Sequence, residues 1–251
     1  MSLSLPSSSG PFYHLLFETL AYVVGFGLLR ILKRRQGDFL GETARWTLIA
    51  AAVLGAAVGS KVLHHLANPT LWPSYSERPV LLLAGKTIVG ALIGGWWAVE
   101  VAKARLGIHQ RTGDLYVVPL LAGMAIGRIG CFLAGLDDGT FGVPTSLPWG
   151  VDFGDGLARH PTQLYEIAFL ALLAALLFRP GTRPRTGDRF RGFVLAYLAF
   201  RLVIDFLKPY DRVMGLNPIQ WSCLLVLLAS VAEGPRLLRT FLAPGGGEAR
   251  P

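Results

Sequence analysis

Apolar residues gather in seven stretches of the chain, separated by segments rich in basic residues, glycine or proline. A helix needs about 20 apolar residues to cross the roughly 30 Å hydrocarbon core of a bilayer, a length that the two shortest stretches only approach. The stretches are 12–32, 46–66, 80–102, 115–136, 163–178, 192–208 and 218–235. The pattern predicts an all-α membrane protein with seven transmembrane helices, which form one polytopic domain over residues 1–243.

The basic residues predict the orientation of these helices. Lysine and arginine are concentrated in alternate connections, at 33–45, 103–111 and 179–191, and after the last span, whereas the other connections carry few. Because basic loops stay on the cytoplasmic side, the N-terminus is expected outside and the C-terminus in the cytoplasm. The net charge of +8 has the same origin, so we predict no nucleic-acid partner. A content of 52% hydrophobic and 16% charged residues excludes an ordinary globular surface.

One long connection, 137–162, falls on the predicted outer side. Its many glycine, proline and aspartate residues indicate turns, and WGVDF within it is a short candidate strand. We therefore predict a small extracytoplasmic (periplasmic) loop subdomain here. The glycine-rich C-terminal segment 244–251 is predicted to be a disordered tail.

Charged side chains inside two apolar stretches indicate a functional site. Arg128 lies in the fourth stretch, and Tyr197, Arg201 and Asp205 recur at four-residue intervals in the sixth, which places these three on one helical face. Ionisable residues inside a membrane are costly and usually functional. One interpretation is a purely structural Arg201–Asp205 pair. The other is that Arg128 and Arg201 line a shared cavity and bind an anion, such as a phospholipid phosphate.

His160 is the best titratable candidate, because it lies where the outer loop meets the membrane and can transfer protons near neutral pH. A loop histidine beside a proline is alternatively a hydrogen-bonded structural residue. His64 and His65 are adjacent on a helix, where side chains point apart, so we predict no metal site.

Two further features of the stretches favour structural interpretations. Lys86, near the predicted outer end of the third span, is expected to extend its ammonium group toward the interface. The small-residue runs GAAVGS and GALIGG predict close contacts between helices.

Several motifs in order resemble the prolipoprotein diacylglyceryl transferases of bacterial inner membranes. The motifs are GRIGCF, PWG, RHPTQLYE, YLAFRLVIDF and NPIQW, with weaker similarity in AYVVGF, GAAVGSKV and VGALIGG. The resemblance covers nearly the whole chain, from about residue 17 to 225. It implies seven spans and transfer of the diacylglyceryl group of phosphatidylglycerol to the lipobox cysteine thiol of a prolipoprotein, with release of glycerol phosphate. The implied location is the inner membrane with the active site toward the periplasm, the implied partners are phosphatidylglycerol, membrane lipids and the prolipoprotein signal peptide, and no cofactor is expected.

The resemblance also implies the site residues. Arg128 and Arg201 match two arginines essential in the family and would hold the donor phosphate. The expected catalytic residues are Arg128, Arg201, His160, Tyr197 and Asp205. The expected substrate-binding residues are Arg128, Arg201, Gly127, Gly130, Gly142, Arg159, Gln163, Tyr165 and Glu166.

The chain departs from the family pattern at several positions. Val89 stands where the family has a histidine with a central role, Cys131 replaces an asparagine, and Asp205 replaces a glutamate. In a working transferase the lost polar groups would come from His160, Asp137 or Asp138. Two alternatives are a non-catalytic phospholipid-binding relative and a membrane transporter.

Overall fold

Within the residues that the computed structural model describes, 10–36, 40–83 and 85–242, the chain forms eight α-helices. They are α1 (Gly10–Gln36), α2 (Glu42–Ala67), α3 (Ile88–Leu106), α4 (Val117–Ala134), α5 (Thr162–Leu177), α6 (Asp188–Ile204), α7 (Pro218–Ala229) and α8 (Gly234–Leu242). Helices α1 to α7 follow the seven predicted stretches in order. The predicted tail at 244–251 lies outside the described residues.

The length and composition of the helices fit a membrane protein. Three helical segments of the described chain, Gly10–Arg35, Glu42–Ala67 and Gly113–Asp138, are long and apolar enough to cross a membrane. The bent pair α7 and α8 becomes a fourth if it is counted as one span. Large apolar side chains, such as Val53 on α2 and Trp97 on α3, face outward, as lipid-contacting side chains do.

The third helix begins later than predicted. The sequence predicts a span from residue 80, but Pro79–Leu83 forms a 3-10 helix and α3 starts only at Ile88. Thr87 is extended and caps the helix, because its hydroxyl oxygen accepts the N–H of Gly90 at 3.3 Å. Apolar composition alone did not separate this turn from the helix that follows.

The seventh helix ends earlier than predicted. The apolar stretch continues to residue 235, yet α7 ends at Ala229 and α8 follows after a bend of 88°. Pro235 lies in the first turn of α8, where its missing N–H costs no helical hydrogen bond.

Close packing of α2 against α3 confirms the contacts predicted from the small-residue runs. A Cβ atom added to Gly59 would collide with the carbonyl oxygen of Gly90, and one added to Gly55 would collide with that of Gly94. Glycine at these positions lets the two backbones approach directly. Ser60 and Thr87 join the same helices, because the Thr87 N–H donates to the Ser60 hydroxyl at 2.9 Å.

We expect Gly59→Ala to lower the free energy of unfolding by about 1–3 kcal/mol, because the added methyl group forces α2 and α3 apart. Gly27→Ala is the matched control, since a Cβ there meets no atom within 4 Å. Unfolding by SDS in mixed micelles measures both variants. Equal stability of the two would contradict the close helix contact.

The outer loop contains the predicted short strand. Val151–Asp152 (β1) pairs antiparallel with Ala158–Arg159 (β2). The Asp152 carboxylate accepts the N–H groups of Gly154 and Gly156 at 2.8 and 3.0 Å, which closes the turn between the strands. The loop is also joined to the 3-10 turn Asp205–Leu207, which follows α6, because the N–H of Val143 donates to the carbonyl oxygen of Leu207 at 2.7 Å.

Candidate functional site

A cavity of about 540 Å³ opens at the end of the helical bundle that carries the outer loop. Side chains from α1, α4, the segment before α3 and the end of α6 line it, and both Arg128 and Arg201 are among them. The shared cavity expected for the two arginines is therefore present. Each arginine is almost completely buried in the protein, with 5% and 3% of its surface exposed.

Arg128 is paired with a carboxylate from α5. Its Nε atom lies 2.9 Å from Oε2 of Glu166. The two groups form an ion pair without a hydrogen bond at this nitrogen. The hydroxyl group of Tyr197 donates to the other oxygen of Glu166 at 2.6 Å. Since this carboxylate is buried, its two contacts fix it between α4 and α6.

Arg201 forms a two-pronged ion pair with Asp205, the first residue of the 3-10 turn Asp205–Leu207 that follows α6. Its Nε and one terminal nitrogen donate to the two carboxylate oxygens, both at 3.0 Å, and the other terminal nitrogen donates to the Tyr197 hydroxyl oxygen at 3.4 Å. Arg201 is paired with Asp205, as a structural pair would be, and it also lines the cavity with Arg128.

A third cation completes this part of the wall. The Nζ atom of Lys208 lies 3.8 Å from Oδ1 of Asp205, and the lysine is 3% exposed. Among the residues that the structure describes, ion pairs join Arg128, Arg201 and Lys208 to two buried carboxylates, Glu166 and Asp205, so cationic side chains outnumber anionic ones in this cluster. A buried cluster with one unbalanced positive side chain is suited to an anionic ligand.

The structure does not bring His160 to this cavity. Its Nδ1 atom is 3.3 Å from the hydroxyl oxygen of Tyr165, which accepts a hydrogen bond from Trp149 at 2.8 Å. None of these three residues is among those that line the cavity. The arrangement matches the alternative in which the loop histidine is hydrogen-bonded and structural.

Arg159 is held within the outer loop rather than at the cavity. Its guanidinium group donates to the Asp155 carboxylate at 2.6 and 3.1 Å and lies 4.9 Å from the centre of the Phe141 ring. These hydrogen bonds lower the pKa of the exposed Asp155 carboxyl group.

The remaining predicted substrate-binding residues differ in how closely they are packed. A Cβ on Gly130 would lie 2.6 Å from Phe17, and one on Gly142 would lie 2.6 Å from His160, so both glycines allow close internal packing. Gly127 meets no neighbour within 4 Å at its Cβ position. Gln163 is buried, and its amide nitrogen lies 3.4 Å from the Thr140 hydroxyl oxygen.

Val89 has no contact with the cavity. It is completely buried in the apolar core, whereas its neighbours Thr87 and Ile88 line the cavity wall. The residue that stands at the family's histidine position thus serves packing in this chain.

Several residues of the cavity wall were not predicted as site residues. They are Lys208, His14, Cys131, Glu18 and Lys86, whereas Asp138, which also lines the cavity, is among the residues expected to replace lost polar groups. Lys208 had a readable signal, since it follows Asp205 by three residues. Lys86, which was expected to extend toward the interface, lines the cavity, and its Nζ atom forms an ion pair with Glu18 at 2.5 Å.

Comparison with known proteins gives matches along most of the chain. The family model described as prolipoprotein diacylglyceryl transferase matches residues 12–233. The chain is also similar to proteins from several bacteria that are named phosphatidylglycerol–prolipoprotein diacylglyceryl transferase. The one from Bordetella bronchiseptica is 34% identical over 236 residues, covering 84% of this chain and 86% of the relative.

Two further relatives carry the same name. The protein of Nitratidesulfovibrio vulgaris is 30% identical, covering 90% of this chain and 89% of its own length. The protein of Cupriavidus necator is 31% identical, covering 91% of this chain and 87% of its own length. These matches favour neither a non-catalytic relative nor a transporter.

Proposed function

The chain belongs to the prolipoprotein diacylglyceryl transferase family, and from this premise we propose how it acts. It transfers the diacylglyceryl group of phosphatidylglycerol to the lipobox cysteine thiol of a prolipoprotein, releasing glycerol phosphate. One observation carries the assignment of the site. Arg128 from α4 and Arg201 from α6 line the same buried cavity.

The donor phosphate binds at the cationic part of the wall. A phosphodiester carries one negative charge, which complements the single unbalanced cation among Arg128, Arg201 and Lys208. When the carbon–oxygen bond breaks, the departing glycerol phosphate gains a second negative charge. Preorganised guanidinium groups stabilise this developing charge more strongly than they stabilise the bound donor, which lowers the barrier.

The buried carboxylates and Tyr197 act as positioning groups. Glu166 and Asp205 each hold one guanidinium group in a fixed orientation, and Tyr197 contacts both Glu166 and Arg201. Because the arginines are held before the donor arrives, little reorganisation is needed during the reaction. Their partners also lower the cost of burying the arginines in the unoccupied protein.

The cavity faces the outer side of the membrane. We infer seven spans, α1 to α7, with the N-terminus outside, from the apolar stretches and the distribution of basic residues. In this orientation the 137–162 subdomain is periplasmic, and its residues Asp137, Asp138 and Thr140 form part of the cavity wall. A prolipoprotein emerging on that side of the inner membrane would meet the cavity directly.

The acceptor thiol must lose its proton to attack the glyceryl carbon. An ordinary thiol with a pKa near 8.5 is mostly protonated at neutral pH, so the site has to favour the thiolate. Val89 offers no base, and His160 lies away from the cavity. Polar groups that do line the cavity include His14, Asp137 and Asp138.

The reaction can be tested with the purified full-length chain. Vesicles of labelled phosphatidylglycerol and a lipobox peptide should yield a thioether-linked peptide and free glycerol phosphate. A peptide with serine in place of the lipobox cysteine, and vesicles of phosphatidylcholine alone, are the controls and should give no product. Binding of phosphatidylglycerol with no product over hours would contradict the proposed activity.

A further inference from the structure

We propose that His14, Cys131 and Asp138 form a zinc site in the wall of the cavity. The three residues come from α1, α4 and the 3-10 turn that follows α4. All three line the cavity, so a metal ion held by them would face the space beside Arg128.

The distances fit one metal ion. One ligand atom from each residue lies within 4.8 Å of the others, and Nδ1 of His14 is 3.0 Å from Oδ1 of Asp138. With metal–ligand distances of about 2.0–2.3 Å, two ligands of one tetrahedral zinc ion lie roughly 3.3–3.8 Å apart. Closing the three residues on zinc therefore needs side-chain movements of only about 1 Å.

The ligand types also favour zinc. Thiolate and imidazole ligands together suit Zn²⁺, whereas Mg²⁺ and Ca²⁺ require oxygen ligands. Three protein ligands with one open position are the arrangement of catalytic rather than structural zinc sites. His14, Cys131 and Asp138 supply one nitrogen, one sulfur and one oxygen ligand.

Each ligand has a second partner that would hold it in place. Nε2 of His14 lies 3.6 Å from Oε2 of Glu18, a carboxylate that can orient the imidazole ring. The Thr140 hydroxyl group donates to the Asp138 carboxylate, and an Arg128 nitrogen lies 3.7 Å from the Cys131 sulfur. Such outer contacts, made to every ligand, are characteristic of built metal sites.

The role of the ion rests on the proposed transferase function. The acceptor thiol occupies the open zinc position and binds as a thiolate, after its proton passes to solvent. The sulfur then forms a bond to the glyceryl carbon, while the carbon–oxygen bond breaks and its electron pair leaves with the glycerol phosphate. Zinc thus supplies the activation that Val89 cannot provide.

Cobalt(II) replacing zinc in the full-length protein tests the site. After removal of metal by a chelator, one equivalent of Co²⁺ should produce a thiolate-to-metal charge-transfer band and intense visible ligand-field bands. Cys131→Ser should reduce the charge-transfer band to background. Cys223→Ser, which changes a buried cysteine away from the cavity, should leave it unchanged.

A second variant tests the outer contacts without removing a ligand. Glu18→Gln should weaken zinc affinity about 10–100-fold, measured by competition with a chelating dye. Size-exclusion elution and thermal melting establish that each variant is folded. Absence of the cobalt band in the wild-type chain, or a band that survives in folded Cys131→Ser, would overturn the proposed site.

A separate experiment tests whether the metal ion binds the acceptor thiol. A lipobox peptide added to the cobalt protein should increase the charge-transfer band, and its serine counterpart should not. An unchanged band, or equal transfer by metal-free and zinc-loaded protein, would overturn the role of zinc while the transferase function stands. Metal binding without transfer under any condition would instead overturn the transferase function and leave the zinc site intact.

Discussion

Arg128→Lys should reduce kcat/KM for diacylglyceryl transfer about 100-fold while the protein stays folded. The substitution keeps the positive charge but removes the planar group that can contact Glu166 and the donor phosphate at the same time. A single ammonium group must divide its hydrogen bonds between the two, so the departing phosphate loses stabilisation. Product formation from labelled phosphatidylglycerol measures the loss.

Arg183→Lys is the matched control, because Arg183 is an exposed residue in the basic connection before α6. It should retain wild-type activity. If Arg128→Lys were as active as this control, two-pronged binding of the phosphate by the Arg128 guanidinium group would be contradicted.

Glu166→Ala should lower the free energy of unfolding by about 3–5 kcal/mol. The substitution leaves Arg128 buried with no carboxylate opposite it and removes the acceptor of the Tyr197 hydroxyl group. SDS titration in mixed micelles measures the change. The loss of stability arises from an unpaired buried charge, so the free energy of unfolding should fall further in Glu166→Ala than in Gly59→Ala.

The double variant Arg128→Met, Glu166→Leu separates charge pairing from packing. Replacing both members of the pair with apolar groups removes the unpaired charge, so stability should recover toward that of the wild type. Activity should remain lost, because no cation is left on α4 to hold the phosphate. A double variant as unstable as Glu166→Ala would show that packing, not charge, sets the stability of this region.

Features that follow from the periodicity of the sequence could be predicted without the structure. The four-residue spacing of Tyr197, Arg201 and Asp205 follows directly from helical geometry, and the three side chains do make contact. Helices α1, α2, α5 and α6 follow the predicted stretches closely. The small-residue runs likewise located the contact between α2 and α3.

Contacts between residues on different helices could not be predicted from the sequence. Nothing in the spacing of Arg128 and Glu166 says that α4 and α5 place them in contact. The same holds for His14 and Asp138, which lie far apart in the chain and adjoin only because α1 packs against α4. The start of the third helix and the end of the seventh were misplaced, because hydropathy records apolar character and not backbone conformation, such as that of the capping Thr87.

The attachment of the outer loop to the 3-10 turn after α6 has a mechanical consequence. Val143 is hydrogen-bonded to Leu207, the residue just before Lys208, and Gly142 is hydrogen-bonded to the carbonyl oxygen of His160. A peptide that displaces the loop on arrival must either break the first of these bonds or drag the neighbouring lysine with it. Docking of the incoming chain is thereby coupled to the position of the Lys208 ammonium group, so occupation of the outer loop alters the cationic wall of the cavity.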